Sequence, residues 1–163
     1  MTHLDRQWIE AHIPHRGNMC LLDEVLDWDT TGARCASNTH RAVHNPLRAD
    51  GRLAAACGVE YAAQAMAVHG ALVASIADAS APHGYLASVR GVELHVDRLD
   101  DLQDSLVASV VRVAGDEKSV LYQFTLSAVD SAVLRRAGTG AAAAGRVLVT
   151  GRAAIAFNAG NLK

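Results

Sequence analysis

Residues 53–77 read LAAACGVEYAAQAMAVHGALVASIA, an almost uninterrupted run of apolar side chains. Alanine is the strongest helix former, and a helix that is apolar all round must be buried all round, in a protein core or in a bilayer. The run is long enough to span a bilayer. Glu60, Gln64 and His69 argue against that placement, because a carboxylate near mid-bilayer costs roughly 2.5–3.5 kcal/mol on insertion scales and such groups need internal partners. The expectation is a central protein helix, with no membrane as partner.

The segments around it follow other periods. Leu4, Trp8 and Ile9 share one helical face within residues 4–13, and Pro14 closes that short helix. Residues 24–28 and 33–37, separated by Asp29-Thr30-Thr31-Gly32, read as two strands. Residues 40–51 form a loop leading into the long helix. After a turn at 80–84, Val92, Leu94 and Val96 alternate with polar residues, and Val120, Tyr122, Phe124 and Leu126 alternate again. Residues 106–113 read as a strand joined to the next by the hairpin 114–117. Residues 135–145 read as a long loop, 147–157 as a final strand, and 158–163 as a fraying end. Consecutive antiparallel strands with one helix against them make an α+β architecture, whose sheet must curl around an all-apolar helix.

With 163 residues and 50% hydrophobic content, one domain over 1–163 is expected. Aromatic content is only 4%, so small side chains fill the interior and leave room for a ligand channel. A net charge of −2 without a polybasic run gives no electrostatic case for nucleic acid. Cys20, Cys35 and Cys57 form no CxxC pair, which favours free thiols in a reducing compartment. The first residues lack the pattern of a signal peptide, and a cytoplasmic location is expected.

Chemistry is expected at Glu60. Burying an ionised carboxylate is costly, so the group raises its pKa or finds a partner. A carboxyl held partly protonated near neutral pH is what a general acid needs. The other reading is a structural carboxyl, satisfied by backbone donors or by Arg48 or Arg52. A histidine from the preceding loop, His40 or His44, is the natural proton acceptor. Cys35, His40 and His44 match no zinc spacing, so no metal is expected. Cys57 and His69 read as packing residues.

His44-Asn45-Pro46, a loop, and then Glu60-Tyr61-Ala62-Ala63-Gln64-Ala65-Met66 resemble the active-site segment of the beta-hydroxyacyl-[acyl carrier protein] dehydratases. Ile13-Pro14-His15-Arg16, followed by Met19-Cys20-Leu21-Leu22-Asp23-Glu24-Val25, resembles the opening of the same family, and Tyr85-Leu86-Ala87-Ser88-Val89 sits where that family has its first strand after the helix. The resemblance is nearest to the predicted dehydratase subgroup of aryl-polyene-type lipid pathways. It implies a hot-dog fold, an antiparallel sheet wrapped around one long central helix, and a dimer with composite sites.

By that resemblance, His44 of one protomer would remove the C2 proton of a 3-hydroxyacyl thioester, and Glu60 of the other would protonate the departing 3-hydroxyl. The N–H of Ala55 would polarise the thioester carbonyl, and Gln64 would hold part of the substrate site together. No cofactor is implied. The implied partners are acyl carrier protein or acyl-coenzyme A and a second subunit, either identical or a paralogue. The sequence departs from the family in a longer loop between His44 and Glu60, and in Ala54-Ala55 where the family has Pro-Gly. A thioesterase on the same fold and a non-catalytic subunit of a heterodimeric dehydratase are the alternatives.

Overall fold

The computed structural model describes residues 3–137 and 145–157. Helix α1 (Arg6–His12) is capped by Asp5, whose carboxylate accepts from the Trp8 N–H, and it buries Ile9. Strands β1 (Glu24–Trp28) and β2 (Gly32–Ser37) fall where the turn at Asp29 predicts, because one Asp29 oxygen accepts from the N–H groups of both Thr31 and Gly32. A long connection leads to a 3-10 turn at Ala55–Cys57 and then to helix α2 (Gly58–Ile76). Strands β3 (Gly84–Leu94), β4 (Ser105–Gly115) and β5 (Ser119–Val129), a short helix α3 (Ser131–Ala137) and strand β6 (Arg146–Phe157) complete the chain.

The six strands form one sheet in the order β1-β2-β4-β5-β6-β3, antiparallel throughout. α2 lies across it, packed against β2, β4, β5 and β6. Tyr61, Ala62, Ala65 and Val68 of α2 are fully buried against Leu106, Phe124, Leu126 and Val149 of the strands. This is the hot-dog arrangement. A Cβ at Gly58 would come within 2.7 Å of a Leu126 methyl and 3.2 Å of a Val149 methyl, so only glycine lets the start of α2 approach β5 and β6 this closely. Among the described residues no helix is long and apolar enough to cross a membrane.

Two segments differ from the sequence expectation. β3 begins at Gly84 and ends before Val96, because Gly91 takes a φ of +60° and the pairing with β6 slips between Arg90 and Glu93. This bulge breaks the alternation that sequence periodicity extends to Val96. Residues 131–137 form α3, whose last three residues fall in the expected loop; Asp130 starts it by accepting from the Ala132 and Val133 N–H groups. The rest of that loop and the expected fraying end lie mostly outside the described residues.

β3 is an edge strand, and it leaves Tyr85 and Leu94 half exposed, with Leu86 and Val92 only slightly less so. The opposite edge, β1, is short.

Candidate active site

Glu60 sits in the first turn of α2, where the helix dipole favours a negative charge. Its Oε1 lies 3.2 Å from His15 Nε2 and accepts from the Gln64 side chain, also at 3.2 Å. The His15 and Glu60 side chains keep 27% and 34% of their exposure, so both remain open to a ligand. Burial alone would raise the carboxyl pKa, as expected from sequence. The His15 hydrogen bond outweighs it and, with Gln64, holds Glu60 below its ordinary value. Glu60 is therefore ionised at neutral pH, the reverse of the partly protonated state anticipated above.

Gln64 is fully buried and serves as a clamp. Its oxygen accepts from the Leu21 N–H at 2.8 Å, and its nitrogen donates to the Met19 carbonyl at 2.8 Å as well as to Glu60. These bonds fasten the segment carrying His15 to α2. Arg6 of α1 tightens the same loop by donating to the Gly17 carbonyl at 2.9 Å, and Ser37 and Thr39 donate to the Leu21 carbonyl. Gln64, expected to hold part of the substrate site together, has its polar atoms engaged within the chain by Leu21, Met19 and Glu60.

Ala55 opens the 3-10 turn that leads into α2. Its side chain is buried and its N–H already donates to the Asp97 carbonyl at 3.0 Å, because the chain after β3 runs back past the helix entry. That crossing is pinned by Asp100, which accepts from the Leu53 N–H at 2.9 Å and pairs with Arg98. The Ala55 N–H is thus no free donor for a thioester carbonyl.

His44 is exposed on the connection between β2 and α2. Its neighbour Asn45 anchors the loop by donating to the Thr39 carbonyl at 3.0 Å and to the Tyr61 hydroxyl at 3.1 Å. Within one protomer, the polar partners of Glu60 among the described residues are His15 and Gln64, and His44 is not brought to it. Arg48 is turned away to the carbonyls of His40, Arg41 and Gly51. His40 is buried against the Leu102 carbonyl, and Cys35 is fully buried with its thiol pushed up to about 12 by desolvation. Cys57 is half-buried, and burial raises its thiol pKa too.

Glu60 and His15 open onto a cleft of about 790 Å³ between the N-terminal segment, one face of α2 and the start of β3. Its α2 wall includes the small residues Ala63, Ala67, Gly70 and Ala74 beside Met66, His69 and Val73. Sequence reasoning missed His15. The signal was present, since Ile13-Pro14-His15-Arg16 carried part of the resemblance, but no role was attached to it.

A buried helix under an antiparallel sheet, with a helix-borne carboxylate at a cleft, defines a hot-dog protein. The chain belongs to the ApeP-like family: the family model described as ApeP dehydratase matches residues 7–150, which makes this protein dehydratase-like and its class of activity that of a hydro-lyase. No curated protein matches the sequence. Among solved structures it is similar to the dehydratase heterocomplex ApeI:P from Xenorhabdus doucetiae, at 22% identity over 91% of this chain and 90% of that one, with a TM-score of 0.73. It is also similar to a thioesterase family protein from Silicibacter pomeroyi, at 10% identity over 82% of each chain and a TM-score of 0.56. Zebra fish thioesterase superfamily member 2 matches at 11% identity over 93% of this chain and 94% of that one, again with a TM-score of 0.56. At these identities the structural likeness carries the fold.

Proposed function

We propose that this protein eliminates water from a 3-hydroxyacyl thioester borne by acyl carrier protein or coenzyme A, as one subunit of a dimer. The observation that carries the reading is Glu60, a partly exposed carboxylate held by the Gln64 amide and the His15 imidazole at a cleft. In this reading His44 of one protomer takes the C2 proton, the electron pair forms the C2–C3 double bond, and the C3–O bond breaks. Glu60 of the other protomer gives its proton to the departing hydroxyl, which leaves as water. Because the resting carboxyl is ionised, it must be loaded with a proton before each turnover.

The dimer is supported by the apolar, unpaired edge β3, and the heterocomplex of the similar ApeI:P makes a paralogue as suitable a partner as a second copy. Separate free thiols at all three cysteines suit a reducing compartment, and we place the enzyme in the cytoplasm, working in fatty-acid or polyene-type synthesis.

An ionised Glu60 also favours a second reading, in which the carboxylate activates water and cleaves the thioester. Incubating the purified protein, alone and with a paralogous subunit, with 3-hydroxyacyl and saturated acyl thioesters separates the two. Enoyl product is expected. Thiol release without enoyl product would replace the dehydratase reading with the hydrolase, and dehydration appearing only with the paralogue would assign this chain a supporting role.

A further inference from the structure

We propose that His15 is the positioning residue of the site: it holds the Glu60 carboxyl so that Oε2, and not Oε1, is the oxygen that carries the mobile proton. The inference rests on the dehydratase reading only for its catalytic consequence; the pairing itself stands on geometry.

A carboxylate oxygen has two lone-pair directions. Oε1 accepts from the Gln64 amide and lies against the His15 imidazole as an ion-pair contact, each at 3.2 Å. A proton on Oε1 would disturb both contacts. Oε2 has neither contact, on a side chain that lines the cleft.

His15 is placed for this task from outside α2. It follows Ile13, which is buried beyond the end of α1, and the Arg16 guanidinium grips the Ile13 and His15 carbonyls. Its Nδ1 is buried without a hydrogen-bond partner among the described residues, so no competing bond draws the ring away from Glu60. The other charged or titratable side chains on the cleft are His12 and Arg16 from the N-terminal segment, His69 from α2, His83 ahead of β3, and Arg112 and Asp116 from β4 and its hairpin. Tyr85 and Tyr122 line it as well.

The test compares His15→Ala and His15→Gln with the wild type. Gln places an amide N–H close to the position of Nε2 and so keeps the donor. The Glu60 carboxyl is followed by 13C NMR of glutamate-labelled protein, with Glu60→Gln identifying its signal. The titration midpoint is expected to rise in His15→Ala and to return toward the wild-type value in His15→Gln. In the dehydration assay, kcat should fall roughly tenfold to a hundredfold in His15→Ala with little change in KM, and recover in His15→Gln. An unmoved midpoint together with unchanged kcat would overturn the proposal while leaving the dehydratase reading intact. A shifted midpoint in a wild-type protein that dehydrates nothing would uphold the pairing and discard that reading instead.

Discussion

The Tyr122 hydroxyl lies 2.8 Å from Nδ1 of His69, deep between α2 and β5. The other ring nitrogen, Nε2, is 3.0 Å from the Asp29 carbonyl, which can only accept. Nε2 therefore carries the proton and Nδ1 accepts from the phenol, so His69 is buried neutral. Its pKa is lowered, chiefly by burial. An unfolded histidine binds its proton near pH 6.5, roughly, whereas this one does so only at lower pH. Stability should accordingly be fully present above that value and be lost as the pH falls below it. His40, also buried with a lowered pKa, acts in the same direction. Urea midpoints measured from pH 8 to 5 should decline, and Tyr122→Phe should cost about 1–2 kcal/mol at pH 8 by leaving Nδ1 without its donor.

Glu60→Gln should leave the fold intact and reduce dehydration by roughly a hundredfold or more, since the amide keeps the shape but has no acidic proton to give. Circular dichroism and enoyl formation measured on the same sample check both parts. Unchanged turnover would place the acid elsewhere.

Mixing two inactive variants tests whether the site is shared between subunits. In a homodimer built from one His44→Ala and one Glu60→Gln protomer, a composite arrangement leaves one site with both groups intact. Co-refolding or co-expression should restore up to about half of the wild-type rate per mixed dimer, by counting sites in a two-fold assembly. If the two residues served the same protomer, no activity would return.

Gln64→Leu should destabilise the protein by about 2–3 kcal/mol, because the Leu21 N–H is left buried without a partner and the Met19 carbonyl loses its donor. Equilibrium urea unfolding measures the loss. Activity should fall further than the unfolded fraction explains, since the loop that carries His15 is released with it.

Gly70 stands inside α2, and a Cβ there would meet nothing within 4 Å, so no close packing within the protomer demands glycine. Gly70→Ala should stabilise the helix by about 0.5–1 kcal/mol. Gly70→Leu should fill part of the cleft and lower turnover of long acyl substrates more than of short ones, which a chain-length series in the dehydration assay would reveal.

The helix, the first two strands and the sheet order's antiparallel character could be read because each depends on local pattern: alanine content in α2, turn chemistry at Asp29, alternation in β5. Glu60 was legible as the lone acid on an apolar helix. Its partner was not, since His15 reaches it only when Gln64 binds Leu21 and Met19 and draws the N-terminal loop over the helix. The intrachain acceptor of the Ala55 N–H was not legible for a similar reason: Asp97 arrives from beyond β3, and no feature near residue 55 announces it. Whether His44 meets Glu60 depends on a second chain, which periodicity within one chain cannot encode.

An edge like β3 does not choose its neighbour. Its free backbone groups and its row of apolar side chains will add a strand from a nascent or misfolded chain as readily as from a proper subunit. Left uncapped, such an edge is expected to promote self-association as concentration rises, which light scattering would follow.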